Sequence, residues 1–201
     1  MIFYTSDLHF GHKNILKYEP DRPWATTEQM DRELVARYND VVSDGDTVYI
    51  LGDLSLGKLS DALGFVEKMK GNKIFIPGNH DENWIGHKKH RTAINSAYTH
   101  AGLTVVQGPI AHTLCGVRGV QLCHFPRQDD LRALKRGRGE EYTKEDKFAR
   151  YRPTTGPVLH GHVHSLWKKR GTDINVGVDV WNYQPVAAET LLELLDSDYN
   201  D

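Results

Sequence analysis

The chain of 201 residues reads as an α/β protein in which two β-sheets pack together beneath outer helices. Three observations predict this. In the first half, short runs rich in Ile, Val, Phe and Tyr alternate with helical patterns, an order that implies a parallel sheet joined by right-handed crossovers. In the second half strand-like runs follow one another, which implies a second, partly antiparallel sheet. Several of the runs lead directly into short stretches of carboxylate, imidazole or carboxamide groups, and parallel sheets place their sites beyond strand carboxyl ends.

Taken in order, Ile2 to Ser6 is the first strand pattern. Thr26 and Gln29 have the spacing of a capping box, and Met30, Leu34 and Tyr38 then recur every fourth position, as a helix with one buried face requires. Thr47 to Leu51 is the second strand, Ser60 precedes a helical set of Leu63, Val66 and Met69, and Lys73 to Pro77 is the third strand. Leu103 to Gln107, Ile110 to Cys115, Val120 to His124, Val158 to His160 and Ile174 to Val178 supply the second half. Ala187 to Leu195 fits a helix, while its four leucines fit a buried strand equally well. With no internal repeat and no Gly/Ser linker, one domain over residues 1–201 is expected. The stretch Pro126 to Pro157 lacks a strand pattern and is strongly basic around Arg132, Lys135, Arg136 and Arg138. It reads either as a lid near the site or as a solvated helical excursion.

Composition narrows the setting more than the function. Hydrophobic residues at 39% and charged residues at 26% are ordinary globular values, and a formal charge of -2 argues against a surface devoted to nucleic-acid backbone. No apolar run approaches bilayer length, and the first residues enter a strand pattern without a basic and apolar leader. Cys115 and Cys123 have no metal or redox spacing; with a hairpin turn at Gly116 to Gly119, Cys115 would oppose Val120. A cytoplasmic protein with no membrane segment is expected.

The chemistry is carried by Asp7-Leu8-His9, Gly52-Asp53, Gly78-Asn79-His80-Asp81, His124 and Gly161-His162-Val163-His164. An isolated Asp-x-His or Gly-Asp is little more than a strand end or turn. The two longer motifs are more specific, because glycine lets the backbone turn sharply while neighbouring side chains converge. Mixed oxygen and imidazole donors suit manganese, iron or zinc better than calcium or magnesium. The ordered set therefore points to a two-metal hydrolytic centre.

That order, Asp-x-His, Gly-Asp, Gly-Asn-His-Asp, His, Gly-His-x-His, resembles the calcineurin-like metallophosphoesterase superfamily from Asp7 to His164. Ser6 to His12 and Asn175 to Trp181 are further similar to its small single-domain members in bacteria and phages, which are mostly phosphodiesterases. The resemblance implies a four-layer α/β/β/α sandwich. It implies one metal ion held by Asp7, His9 and His164, a second held by Asn79, His124 and His162, and Asp53 bridging the two. Two such cations ~3.5 to 4 Å apart activate a shared water for in-line attack and stabilise phosphoryl charge. Manganese is the expected ion, with iron or zinc compatible with the same ligands. His80 is implied to lie off the metals and protonate the leaving oxygen, or else to orient Asn79 or the attacking oxygen.

The chain departs from the protein-phosphatase branch at a telling place. Where that branch carries Gly-Asp-x-x-Asp-Arg-Gly and Arg-Gly-Asn-His-Glu, this chain has Leu56, Gly57 and Pro77. Losing two phosphate-gripping arginines favours a diester monoanion over a monoester dianion, and losing the second Asp leaves only Asp81 to orient His80. The expected partner is thus a small phosphodiester, with 2′,3′- or 3′,5′-cyclic nucleotides leading through resemblance alone. A nuclease using Arg132 to Arg138 and Lys168 to Arg170, and a non-catalytic metal-binding scaffold, are the competing readings. Outside the motifs, Trp24, Trp84, Trp181 and Tyr183 read as base-stacking or core residues, Lys88, Lys89 and Arg91 as substrate-steering or solvated charge. Asp179 has no role assignable from sequence, and no substrate-binding residue is assigned.

Overall fold

A computed structural model of the chain describes residues 1–87, 92–127 and 147–196. The basic cluster Arg132 to Arg138, the steering candidates Lys88, Lys89 and Arg91, and the end of the acidic tail lie outside them. Two five-stranded sheets form the body. In the first, β1 (Ile2–Thr5), β2 (Thr47–Ile50), β3 (Asn72–Phe75) and β4 (Leu103–Val105) are parallel neighbours, and β10 (Val186–Ala187) adds antiparallel to β1. The second runs in the order β5 (Ile110–Leu114), β6 (Val117–Leu122), β7 (Val158–His160), β9 (Asp173–Asn175) and β8 (Lys169–Arg170). Its three central strands are parallel and its two edge pairs antiparallel. The two-sheet α/β architecture and the mixed second sheet are those the sequence predicts.

Strand alternation explains why the first-sheet runs are apolar almost throughout. Successive side chains point to opposite faces, so a strand covered on both sides must be apolar at every position. Phe3, Val48, Ile50 and Phe75 enter a core shared with helices α2 (Thr27–Val41), α3 (Leu59–Val66) and α4 (Thr92–His100). Tyr4, Leu51 and Ile76 point the other way, into a core closed by Leu114, Val120, Leu122, Leu159 and Ile174 of the second sheet. The predicted cap is present: Gln29 N–H donates to Thr26 Oγ1 at 3.2 Å, and α2 buries Met30, Leu34 and Tyr38.

Two expectations needed adjustment. The ambiguous tail resolves into its helical reading: all four leucines lie in helix α5 (Ala188–Asp196), with Leu191 and Leu195 buried one turn apart, and the strand there, β10, is the short segment Val186–Ala187 that precedes them. In the second-sheet hairpin, Leu114 pairs with Val117, so the turn is Cys115-Gly116 and Val120 opposes His112 rather than Cys115. Both turn residues have positive φ, 46° and 94°, the backbone sense that continues the right-handed twist of the flanking strands. Both cysteines are free. The short helix α1 (Ile15–Tyr18) and α4 lack a periodic apolar pattern long enough to have been foreseen. No helix among the described residues is long and apolar enough to cross a membrane.

Candidate metal centre

Every candidate ligand follows a strand end, on β1, β2, β3, β6 or β7, and the two sheets bring these ends together. The backbone there is unusual. Asp7, His9, Asp53, His162 and His164 all have positive φ, between 49° and 72°. For residues with a β-carbon this left-handed conformation costs about 1 kcal/mol or more and persists only where the surroundings impose it. Hydrogen bonds do so here. Asp7 N–H donates to Gly52 O at 3.1 Å and His9 N–H to Asp53 O at 3.0 Å, which locks the first two loops side by side. His162 N–H donates to both oxygens of Asp7, at 3.1 and 3.0 Å, tying the second sheet to the first. Gly161 has no alternative at its position, since a β-carbon would collide with Ser6 Oγ and the Asp7 carboxylate.

Two ligand triads result, Asp7–His9–His164 and Asp7–Asp53–His124, each with donor atoms within 4.8 Å of one another. Asp7 is common to both triads, and Asp53 Oδ2 lies 3.7 Å from His9 Nε2 and 3.4 Å from His124 Nε2. His162 stands beside His124, ring centroids 5.1 Å apart, and Asn79 Oδ1 is a buried oxygen with no hydrogen-bond partner among the described residues. His9 Nε2 and His164 Nε2 approach to 3.3 Å. His124 Nδ1 donates to Leu51 O at 2.8 Å, which aims its Nε2 inward at Asp53 Oδ2, 3.4 Å away. Converging lone pairs and a partnerless amide oxygen are the arrangement that divalent cations satisfy.

The electrostatics agree with that fit. Burial holds the His9 imidazole well below its ordinary pKa, with His164 adding to the effect, and burial also brings His164 down to about 4. Both rings are therefore neutral and able to ligate. Burial pushes the Asp7 carboxyl up to about 7, partly opposed by His124. Burial would raise Asp53 as well, but the charge of His124 and its hydrogen bond to the carboxylate outweigh it and hold Asp53 well below its usual range. His124, for its part, is raised to about 9 because Asp53 outweighs its desolvation.

His80 occupies a different environment. Its N–H donates to Asp53 Oδ1 at 3.0 Å, whereas its side chain is 42% exposed, with Nε2 3.9 Å from Asp53 Oδ2. Asp81 does not orient it. The Asp81 carboxylate is fully engaged with backbone, accepting from Gly78 N–H and Asp53 N–H at 2.7 Å each and from Leu54 N–H at 3.0 Å. It clamps the Asp53 loop to the Asn79 loop and turns inward, as the His80 ring faces solvent.

The residues that sequence reasoning missed buttress the ligands. Arg22 is buried and bidentate to Asp179, Nε to Oδ1 at 2.7 Å and Nη2 to Oδ2 at 2.9 Å. The same guanidinium donates to Asp7 O at 2.8 Å and Leu8 O at 3.3 Å, while Asp179 Oδ2 lies 3.6 Å from His164 Nδ1. Asn175, fully buried, donates to His164 O at 2.7 Å and Trp167 O at 2.9 Å and accepts from Gly177 N–H. Arg22 sits in no motif, and Asp179 was visible only as part of Gly177-Val178-Asp179. Other candidates resolve into packing. Trp84 joins Phe125, Phe148 and Tyr151, Trp24 packs on Tyr183, and Trp181 Nε1 donates to Asn175 O. His12 does approach the centre, 5.2 Å from His9 ring to ring, and His160 turns aside against Trp167.

Two sheets meet at a cluster of carboxylates and imidazoles on strand carboxyl ends, a candidate metal-binding site in an α/β fold. The model of the calcineurin-like phosphoesterase family matches residues 1–193, and the chain belongs to that family of metal-dependent phosphoester-hydrolysing enzymes. It is similar to an uncharacterized protein of Methanocaldococcus jannaschii, 30% identical over 204 residues, covering 97% of this chain and 91% of that protein. It is likewise 32% identical over 193 residues to the gene 66 protein of Mycobacterium phage L5, covering 89% of this chain and 86% of the phage protein. A solved structure of a protein of unknown function from Aquifex aeolicus superposes with a TM-score of 0.65 at 23% identity, covering 96% of this chain and 98% of that one; this likeness is one of fold.

Proposed function

We propose that the enzyme is a phosphodiesterase whose two ions are held by Asp7, His9 and His164 on one side and by Asn79, His124 and His162 on the other, with Asp53 shared and His80 as proton donor. The observation that carries this reading is the placement of Asp53 Oδ2 within 4 Å of imidazole nitrogens from both sides, beside an imidazole that stays open to solvent. When bound, two divalent cations lower the pKa of water and neutralise charge on phosphoryl oxygens. Asp53 fixes the spacing of the two sides. His80 delivers a proton to the departing oxygen, which its exposure permits and which the buried imidazoles have no access to perform.

Preference for a diester is supported by what stands at the two places where phosphate-gripping arginines would be, namely Gly57 and Pro77. Manganese is the ion we assign, and small nucleotide-type diesters such as cyclic nucleotides are the substrates. The test is manganese-dependent hydrolysis of a chromogenic diester beside its monoester, followed by a panel of cyclic nucleotides, with His80→Ala as control. Diester preference lost in that variant is the expected result; preference for the monoester would reject the diester assignment.

A further inference from the structure

His12 and Tyr18 continue the line of rings that begins at the buried His9. The His12 ring lies 5.2 Å from that of His9, and the Tyr18 ring lies 6.1 Å from that of His12, edge to face. The loop that carries His12 is fixed without its side chain. Gly11 N–H donates to Asp31 Oδ2 at 3.0 Å, His12 N–H to His9 O at 3.0 Å and Ile15 N–H to His12 O at 3.1 Å, while Ile15 itself is buried. Gly57 packs so closely on Gly11 that a β-carbon there would come within 2.8 Å of Gly11 Cα. The two loops touch backbone to backbone, so position 57 leaves no room for a side chain to reach phosphate.

The two rings themselves are left available. His12 is half-buried, and its Nδ1 is enclosed with no hydrogen-bond partner among the described residues. An enclosed nitrogen with no acceptor beside it is better served by a lone pair than by a proton, so the ring proton belongs on Nε2, at the open side. Tyr18 is 61% exposed, and no other aromatic ring among the described residues is classed with it as exposed. His80 borders the same ligand, 5.7 Å from His9 ring to ring. A neutral donor and an open aromatic face thus stand in a fixed frame beside the proposed proton donor.

We propose that this strip is a substrate subsite, in which His12 Nε2–H donates to a phosphoryl oxygen and Tyr18 lies against an aromatic group on the ester that stays on phosphorus. Hydrolysis of a diester breaks the bond from phosphorus to the leaving oxygen and forms one to the oxygen of water. The proton from His80 goes to the leaving oxygen, giving an alcohol and a monoester. The departing half is met at His80, and the retained half is left to the strip beyond His12. His12 supplies part of the grip that Gly57 and Pro77 do not. The proposal rests on the phosphodiester reading and deepens it by naming the chemistry of the retained group, a flat aromatic ring such as an aryl group or a nucleobase.

The experiment holds the leaving group constant. p-Nitrophenyl phenyl phosphate and p-nitrophenyl methyl phosphate both release p-nitrophenolate and differ only in the retained group. Their intrinsic reactivities are the same for every enzyme form, so the change in the ratio of kcat/KM values isolates the subsite. In manganese-loaded Tyr18→Ala the ratio of phenyl to methyl should fall roughly fivefold from wild type, mainly through KM, as one aromatic contact is lost, and Tyr18→Phe should keep it. His12→Ala should lower kcat/KM for both diesters alike by roughly 10- to 100-fold, and His12→Gln, which keeps an N–H donor, should restore part of the loss. Calorimetric titration of the products gives a readout without turnover: phenyl phosphate should bind Tyr18→Ala roughly fivefold more weakly than wild type, and methyl phosphate should bind both equally. Metal content by elemental analysis should be unchanged throughout; its loss in His12→Ala would make His12 a support of His9 and overturn its role toward substrate. A ratio and product binding unmoved by Tyr18→Ala, or unchanged kcat/KM in His12→Ala, would overturn the subsite while leaving the diester reading intact. Absence of diester hydrolysis by metal-replete wild type would instead overturn the diester reading and take the subsite with it.

Discussion

His9 and His80 stand 5.7 Å apart, ring to ring, and are built in opposite ways. His9 is fully buried, has positive φ, and sits in a loop whose N–H and C=O groups are taken by the Asp53 loop and by Arg22. His80 keeps its backbone on Asp53 but leaves its side chain open beside an accessible groove. A metal ligand acts through fixed geometry, which a rigid and even strained frame provides. A proton donor must meet a substrate that arrives and leaves. On the function proposed above, the contrast separates ligand from proton donor within one cluster of histidines, and each half can be perturbed by itself.

The largest effect is expected at the residue shared by both sides. Asp53→Asn removes the charge that His9 and His124 both face, and turnover should fall by roughly 10³-fold or more, with metal binding weakened, as read by steady-state kinetics and elemental analysis. Near-normal turnover would contradict a shared-carboxylate centre. His80→Ala acts on the open side. It should lose about 10²- to 10⁴-fold in kcat for a diester with a poor leaving group while retaining both ions. Loss of metal in this variant would place His80 with the ligands and erase the contrast.

The buried side is tested through Asp179, whose side chain is buried between Arg22 and His164. Asp179→Asn should weaken metal affinity about 10- to 100-fold, because the carboxylate that faces His164 Nδ1 loses its charge. It also leaves Arg22 buried without its anion, at a stability cost of about 3 kcal/mol. The pair Arg22→Met with Asp179→Leu separates these contributions. It should recover part of the stability measured by urea unfolding, since the carbonyls of Asp7 and Leu8 still lose their donor, yet not the affinity measured by competition titration. Full recovery of both would make the ion pair merely structural.

The two halves were also unequally legible in the sequence. The ligands were readable because each must be a particular residue type at a strand end, and the strands announce themselves through apolar runs buried on both faces. The sheets and α2 were readable for the same reason. Arg22 was not, and neither were the roles of Asp81 and Asn175 within their quoted stretches, because each acts by bonding backbone atoms of other loops, such as Asp7 O, Gly78 N–H and His164 O, and any sequence offers such atoms everywhere. Cys115 was misplaced because the hairpin contains two glycines, Gly116 and Gly119, and only strand pairing decides which one turns the chain.

The smallest effect sharpens what the rigid half costs. Asp31, on α2, is buried with Oδ2 accepting from Gly11 N–H at 3.0 Å, so it anchors the chain just past His9. One hydrogen bond from a neutral donor does not replace hydration, and burial pushes its carboxyl up to about 7. A raised carboxyl pKa means that the folded state binds more protons than the unfolded chain between about pH 4 and 7. Asp31 is therefore neutral in stability below that window and destabilising above it, the loss growing as pH rises through it. Asn in its place still offers an oxygen to Gly11 without a charge to desolvate. Asp31→Asn should match wild type near pH 4 and exceed it at pH 8 by about 1 to 2 kcal/mol in urea unfolding, the other titrating groups cancelling in the difference. A variant no more stable at pH 8 would mean that the ionised carboxylate is stabilised where it stands. The frame around His9 would then be maintained without this penalty.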